Sequence, residues 1–213
     1  MKCSIGGMRI VSRVLDLLFP PRETERLVRE ASRTDTLSLL SPTLVPGTIP
    51  ATALMRYDDP LAHALILEAK FSRNERAVAL LGELVHDFLL EWSADRIPGE
   101  TRVLIPIPLS KEREKRRGYN QVERIARAGI QNTDISLASG LLSRIRETAP
   151  QTSLSGTKRR ENMRGSFSAI PLDPAHTYIV IDDVTTTGAT LLAATQALRA
   201  SGAKDIVLLA LAH

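Results

Sequence analysis

Cysteine is almost absent: Cys3 is the only one in 213 residues. The chain therefore cannot form an internal disulfide or a CxxC zinc site, and a reducing, cytoplasmic setting is expected. The four histidines, His63, His86, His176 and His213, are far apart in sequence and read as surface or satisfied core residues. Aromatics are 4% of the residues, and neither a series of stacking platforms nor a base-reading helix is visible. The two common phosphate-binding glycine motifs, GxxxxGK[ST] and GxGxxG, are also missing, which argues against a P-loop nucleotide triphosphatase and a dinucleotide-dependent oxidoreductase. No long apolar run survives inspection. The uncharged stretch TLSLLSPTLVPGTIPATALM is broken by Pro42, Pro46, Gly47 and Pro50, and reads as a loop or linker, not a membrane span. No secretory leader is readable either, since VLDLLF after Arg13 is short and Asp16 interrupts it.

What is present fits one ordinary globular domain, with 43% apolar and 24% charged residues. The net charge of +4 conceals an asymmetry: Arg102 to Arg164 holds fourteen Lys or Arg against six Asp or Glu, so the middle of the chain is a candidate surface for an anion. Within it, KEREKRRGYN has two readings, a solvated helix start with alternating charges or part of that anion surface. Two short helices, MRIVSRVLDLLF and ETERLVREAS, are predicted on either side of Pro20 and Pro21. With the proline-rich stretch they form an appendage over residues 1–50, ahead of a main domain at 51–213. PLAHALILEAKF and NERAVALLGELVHDFLLEW follow as helices, with Phe88 and Trp92 expected at the core.

The period changes at RVLIPIP, a strand that stops at Pro106 and Pro108, followed by the helix YNQVERIARAGI and the strand LLSRIRE. The aperiodic basic loop TAPQTSLSGTKRREN precedes another short strand in RGSFSAI. TYIVI and DIVLLALA are continuous apolar strands flanking the helix ATLLAATQALRAS, a pattern that predicts an α/β fold with a mainly parallel sheet covered by helices.

YIVIDDVTTTGAT poses the chemical question. Ligands of open parallel sheets bind where strands end and helices begin. There a helix N terminus offers free N–H groups, Gly188 lets backbone approach an oxyanion, and Thr186, Thr187 and Thr190 add hydroxyls, which suits a phosphate monoester. Asp182 and Asp183 cannot face the same phosphate. They suit neutral hydroxyls or a hard cation such as Mg²⁺ a few ångströms away, and together the halves describe a ribose 5-phosphate. The bland alternative is that these residues cap a helix. With no Lys or Arg adjacent in sequence, the two aspartates are expected to repel each other in the empty site, so neutralising Asp183 should not harm the ligand-free fold.

Two acids followed by VTTTGAT resemble the ribose-phosphate loop of type I phosphoribosyltransferases, which bind 5-phosphoribosyl-1-pyrophosphate (PRPP). YDDPLAHALILEAKF, IPIPLSKEREKRRGYNQVERIA and PQTSLSGTKRRENMRGSF, in that order, resemble the ComF/GntX-like family within that superfamily. The resemblance implies a type I phosphoribosyltransferase-like fold with a helical N-terminal appendage. It assigns Asp182 and Asp183 to the ribose hydroxyls and Thr185, Thr186, Thr187, Gly188, Ala189 and Thr190 to the 5-phosphate. A pyrophosphate loop falls at Ile107, Pro108, Leu109 and Ser110, and a mobile catalytic loop brings Lys158, Arg159 and Arg160 to the leaving pyrophosphate. The implied reaction is displacement of pyrophosphate from ribose C1, with Mg²⁺ held by PRPP and not by protein side chains alone, and with an unknown acceptor. The alternative is a non-catalytic PRPP-binding protein of competence, acting on DNA uptake with single-stranded DNA or the competence machinery as partner; a homo-oligomer is an open arrangement. The chain departs from the resemblance twice. LLFPPRETERLVREAS lacks the cysteines of the zinc module that ComF-like proteins carry there, so no zinc is expected. Thr186 stands where purine-salvage relatives place an acid, so a purine acceptor activated by that acid is not expected.

Overall fold

The computed structural model describes residues 22–46, 49–97, 99–145 and 165–213. Its N-terminal part contains α1 (Glu23–Glu30), α2 (Arg33–Leu37), β1 (Thr43–Leu44) and β2 (Thr52–Met55). Two long helices follow, α3 (Pro60–Phe71) and α4 (Glu75–Ala94). Then come β3 (Arg102–Pro106), α5 (Lys111–Arg117), α6 (Gln121–Gly129) and β4 (Ile135–Leu137). β5 (Leu142–Arg144), β6 (Phe167–Ala169), β7 (Thr177–Val184), α7 (Ala189–Ala200) and β8 (Asp205–Ala212) complete the chain.

Six strands form one sheet in the order β1-β2-β8-β7-β3-β4, with every neighbouring pair parallel except β1 and β2. The mainly parallel α/β architecture expected from the sequence is therefore present. Because successive side chains of a strand point to opposite faces, continuous apolar strands feed two cores. Leu104, Ile179, Ile181, Leu209 and Leu211 pack with α3, α4 and α6, while Val103, Ile105, Tyr178, Val180 and Leu208 pack with α7. Phe88 and Trp92 lie partly buried at the margin of the first core.

The starts of α3, α4 and α6 are fixed by side-chain caps. Asp59 Oδ1 accepts from the N–H groups of Leu61 and Ala62 at 2.8 and 3.0 Å ahead of Pro60, and Asn74 and Asn120 cap α4 and α6 in the same way. The α4 and α6 helices meet through glycine. A Cβ on Gly82 would fall 2.4 Å from Ala128 Cβ, and one on Gly129 would fall 2.6 Å from Val85 Cγ1, so the close approach that sets the position of α6 depends on bare backbone.

The structure corrects one local reading. The uncharged proline-broken stretch read as a loop contains β1 and β2, and Ala53, Leu54 and Met55 are buried. β2 has four residues, and its parallel partner β8 lies more than 150 residues further on, with Ala53 opposite Ala210. A strand so short and so dependent on a distant partner leaves no periodic signal. The two short strands read in LLSRIRE and RGSFSAI pair with each other, Leu142 opposite Ala169, as a separate antiparallel ribbon beside α7. The helix read in MRIVSRVLDLLF and the whole of the basic loop at 148–164, with Lys158, Arg159 and Arg160, lie outside the described residues.

Candidate functional site

The acidic pair sits where β7 leaves the sheet. Asp182 is buried, and its Oδ1 accepts the N–H of Asp183 at 2.8 Å. Asp183 is better supplied. Its Oδ1 accepts the Val184 N–H at 2.8 Å, and its Oδ2 receives Gln121 Nε2 at 2.8 Å and Lys70 Nζ at 2.9 Å. Lys70 is the penultimate residue of α3, and Gln121 is the first of α6. The expectation of an uncompensated pair is thus corrected: a cation 113 positions away in sequence reaches Asp183 through the packing of α3 against the sheet.

These surroundings split the two carboxyls. Burial and then the negative charge of Asp183 push Asp182 up to about 7. Burial also works to raise Asp183, but the charge and hydrogen bond of Lys70, with the Val184 and Gln121 hydrogen bonds, outweigh it and hold this carboxyl below its ordinary value. Near neutral pH the ligand-free site therefore holds Asp183 ionised and Asp182 close to the midpoint of its titration.

The phosphate side of the motif is the turn from Thr185 to Thr190. Thr185 is buried and its Oγ1 accepts the Gly188 N–H at 3.1 Å. Gly188 has φ 68°, the left-handed conformation that favours glycine, and a Cβ there would meet only Ile49 Cγ1 at 3.7 Å, so the backbone angle and not crowding selects it. The start of α7 has no side-chain cap, which leaves its first N–H groups for another acceptor. Thr186 is exposed and Thr187 half-buried, while Ala189 is buried.

A cleft of about 220 Å³ gathers Asp182, Asp183 and Thr190 with Ile107, Pro108 and Leu109 from the loop after β3. That loop is anchored from both sides: Ile107 N–H donates to Ile181 O at 2.9 Å, and Asn120 Nδ2 donates to Ile107 O at 2.9 Å. Ser110, next in line, is buried, and its Oγ caps α5 by accepting the Arg113 N–H at 3.4 Å. The same cleft holds four basic side chains: Arg113 and Arg117 from the KEREKRRGYN run, and Lys70 and Arg144, which sequence reasoning did not single out. Arg117 Nη1 donates to Gln121 Oε1 at 3.1 Å, its Nε is buried without a hydrogen-bond partner, and its guanidinium lies 5.1 Å from the Phe71 ring. Burial drives its pKa down against the pull of Asp183.

KEREKRR forms α5, which has no buried residue, as the solvated reading of that run expects, while Arg113 and Arg117 line the cleft. The clue to Lys70 and Gln121 was slight, a cation near the end of an otherwise apolar helix and an amide at a helix start. Among the described residues no group of three or more Asp, Glu, His or Cys side chains is placed to hold a metal ion. Among the described residues, no helix is long and apolar enough to cross a membrane.

No family model matches the chain. The DNA utilization protein YhgH of Salmonella typhi is 31% identical over 152 residues, covering 70% of this chain and 66% of that protein. Competence protein F of Haemophilus influenzae is 35% identical over 113 residues, covering 52% and 49%. The matched region thus spans about two thirds of the first relative's length and half of the second's. Solved structures align loosely. A hypoxanthine phosphoribosyltransferase from Staphylococcus aureus covers 61% of each chain with 13% identity and a TM-score of 0.37. An orotate phosphoribosyltransferase from Mycobacterium tuberculosis covers 83% of this chain and 81% of its own with 18% identity and a TM-score of 0.36. The family assignment rests on the sequence relatives: the chain belongs to the ComF family, with competence protein F and the YhgH proteins.

Proposed function

We propose that this protein binds Mg-PRPP in the cleft at the end of β7 and transfers its phosphoribosyl group to an acceptor, releasing pyrophosphate. The observation that carries the reading is the meeting, in one cleft, of two adjacent carboxylates, four basic side chains and Thr190 in the first turn of the uncapped α7. Asp182 and Asp183 accept the ribose hydroxyls, the Thr185–Thr190 turn and the α7 N terminus take the 5-phosphate, and the basic wall takes the pyrophosphate. Mg²⁺, when bound, neutralises charge on the pyrophosphate as the bond to C1 lengthens. The chain's own contribution is position and electrostatics: fixed donors and acceptors hold the sugar while positive charge builds at C1 and negative charge leaves. Lys158, Arg159 and Arg160 are proposed to close over the leaving group from the loop between β5 and β6. The phosphoribosyltransferase unit is proposed to span residues 51–213 and to work in the cytoplasm.

One observation favours the second reading, a PRPP-binding protein without transferase activity that serves competence through a partner. Among the described residues lining the cleft, Asp182 and Asp183 are the only carboxylates and there is no histidine, so no general base is left over for an acceptor. Calorimetric titration with Mg-PRPP, followed by a pyrophosphate-release assay across nucleobases and amines, separates the two. Binding with release supports the enzyme. Binding without release across the panel supports the second reading, and absence of binding refutes both.

A further inference from the structure

We propose that Lys70 is a specificity-determining residue, and that its ion pair with Asp183 is a latch which opens only for a sugar phosphate carrying a further anionic group at C1. The inference rests on the PRPP reading above and adds a discrimination that the reading does not require.

The argument is one of occupied valence. A carboxylate offers about two acceptor positions on each oxygen. Asp183 Oδ2 already receives Gln121 Nε2 at 2.8 Å and Lys70 Nζ at 2.9 Å, and Oδ1 holds the Val184 N–H at 2.8 Å. Three of the four positions are thus filled, with one left on Oδ1, and a hydroxyl that takes Oδ2 must displace one of the two donors there. Gln121 is fixed at its other end by Arg117 Nη1, 3.1 Å from its Oε1. Lys70 has no such second anchor; its ammonium otherwise lies 5.8 Å from the Phe71 ring. Lys70 is the donor that gives way.

Where it goes decides which ligand fits. Its side chain is 24% exposed, so release into bulk water is only partial. The cleft beside it contains Arg113 and Arg117, and Arg117 already has a buried Nε without a partner. A bare ammonium moved toward those guanidinium groups loses its counter-charge and meets like charge, which is unfavourable unless an anion enters with the sugar. Ribose 5-phosphate supplies hydroxyls to Asp183, but its phosphate belongs at the α7 N terminus and nothing replaces Asp183 for Lys70. PRPP supplies both at once, hydroxyls to the carboxylate and a pyrophosphate to Lys70 and Arg117. The ion pair thus couples the two halves of the ligand: occupation of the basic wall by pyrophosphate frees Asp183 for ribose.

The test uses the full-length protein in calorimetric titrations with PRPP, ribose 5-phosphate and inorganic pyrophosphate, each with Mg²⁺. Wild type is expected to prefer PRPP to ribose 5-phosphate by at least about thirtyfold, and saturating pyrophosphate is expected to tighten ribose 5-phosphate about tenfold, a coupling within the usual range. Lys70→Met is expected to weaken PRPP by at least about tenfold, to leave ribose 5-phosphate unchanged or tighter, and to abolish the coupling, with Lys70→Arg restoring it in part. Equal losses for PRPP and ribose 5-phosphate in Lys70→Met, or no pyrophosphate coupling in wild type, overturn the latch. If Lys70→Met does not fold, the wild-type coupling alone decides. Wild type binding PRPP and ribose 5-phosphate equally well overturns the latch and leaves the PRPP reading standing, whereas wild type binding neither removes that reading and the latch with it.

Discussion

Asp182 and Asp183 are neighbours with opposite titration behaviour, and the signs follow from their surroundings. For Asp182 the folded value of about 7 lies above the ordinary 3.8. Between about pH 4 and 7 the unfolded chain has released this proton and the folded chain has kept it, so the folded state loses stability as pH rises through that window. Asp182→Asn is expected to stabilise the ligand-free protein at pH 8, by an amount on the order of a few kcal/mol seen as a raised melting temperature, and to make no difference near pH 4. Asp183 behaves in the other sense: its depressed pKa contributes stability above the ordinary carboxylate value, which is lost as pH falls through the folded value. Asp183→Asn leaves the Lys70 ammonium without its partner and is expected to lower ligand-free stability by roughly 1 to 3 kcal/mol. Thermal melts of both variants from pH 4 to 8 check the pair, and a destabilised Asp182→Asn at pH 8 would show that burial does not govern that carboxyl. PRPP affinity is expected to rise with pH toward about 7, as Asp182 becomes an acceptor. At Gly188, with φ 68° and a Cβ in ordinary contact with Ile49 at 3.7 Å, Ala is expected to cost about 1 to 2 kcal/mol through backbone strain alone, and Val more. An unchanged melting temperature for Gly188→Ala would argue that the turn relaxes out of the left-handed conformation.

The element that presents Arg117 has no core of its own. α5 is seven residues with none buried, so its order comes from its ends. Ser110 caps the start, and Gly118, at φ 75°, ends it in the left-handed conformation with its N–H donating to Glu114 O. Arg73, itself at φ 53° in the corner between α3 and α4, donates from Nη2 to Arg117 O at 2.7 Å and lies 5.3 Å from the Tyr119 ring, whose hydroxyl donates to Ala69 O at 2.7 Å. The corner that carries Lys70 and the turn that carries Arg117 are thereby tied together. A Cβ on Gly118 would sit 2.6 Å from Arg73 Nη2, the movable end of a long side chain, so the strain falls on this tie. Gly118→Ala is expected to cost about 1 to 2 kcal/mol in stability and to weaken pyrophosphate more than ribose 5-phosphate. Equal effects on the two ligands, measured by calorimetry, would separate α5 from the pyrophosphate end of the cleft.

Over the whole molecule, the N-terminal helices share the main core. Val28 is fully buried in the cluster of α3, α4 and the sheet, Arg76 Nε donates to Val28 O at 3.0 Å, and Glu68, buried in α3, accepts Thr24 Oγ1 at 2.7 Å. Burying one such aliphatic side chain contributes roughly 1.5 to 3 kcal/mol, which for a chain of this size corresponds to about 3 to 12 °C in melting temperature. Removal of residues 1–31 is expected to lower the melting temperature by at least that amount. An unchanged melt would establish residues 1–31 as a separable appendage.

The sequence alone determined what is locally encoded. Continuous apolar strands around a helix specify a buried parallel sheet, because only a sheet covered on both faces tolerates them, and an acidic pair followed by hydroxyls and glycine marks a strand-to-helix junction suited to ligand. The family resemblance then ordered the remaining motifs, and Ile107, Pro108 and Leu109 do meet Asp182, Asp183 and Thr190 in one cleft. What the tertiary structure decided is whatever depends on distant partners. β2 became a strand only because β8 lies alongside it, and Lys70, Gln121 and Arg117 became site residues only because α3, α5 and α6 converge on the end of β7. The physical reason is the range of the forces involved: periodicity and turn chemistry act within a few residues of chain, whereas the charge state of a buried carboxylate is set within a few ångströms of space, by groups that folding alone brings there.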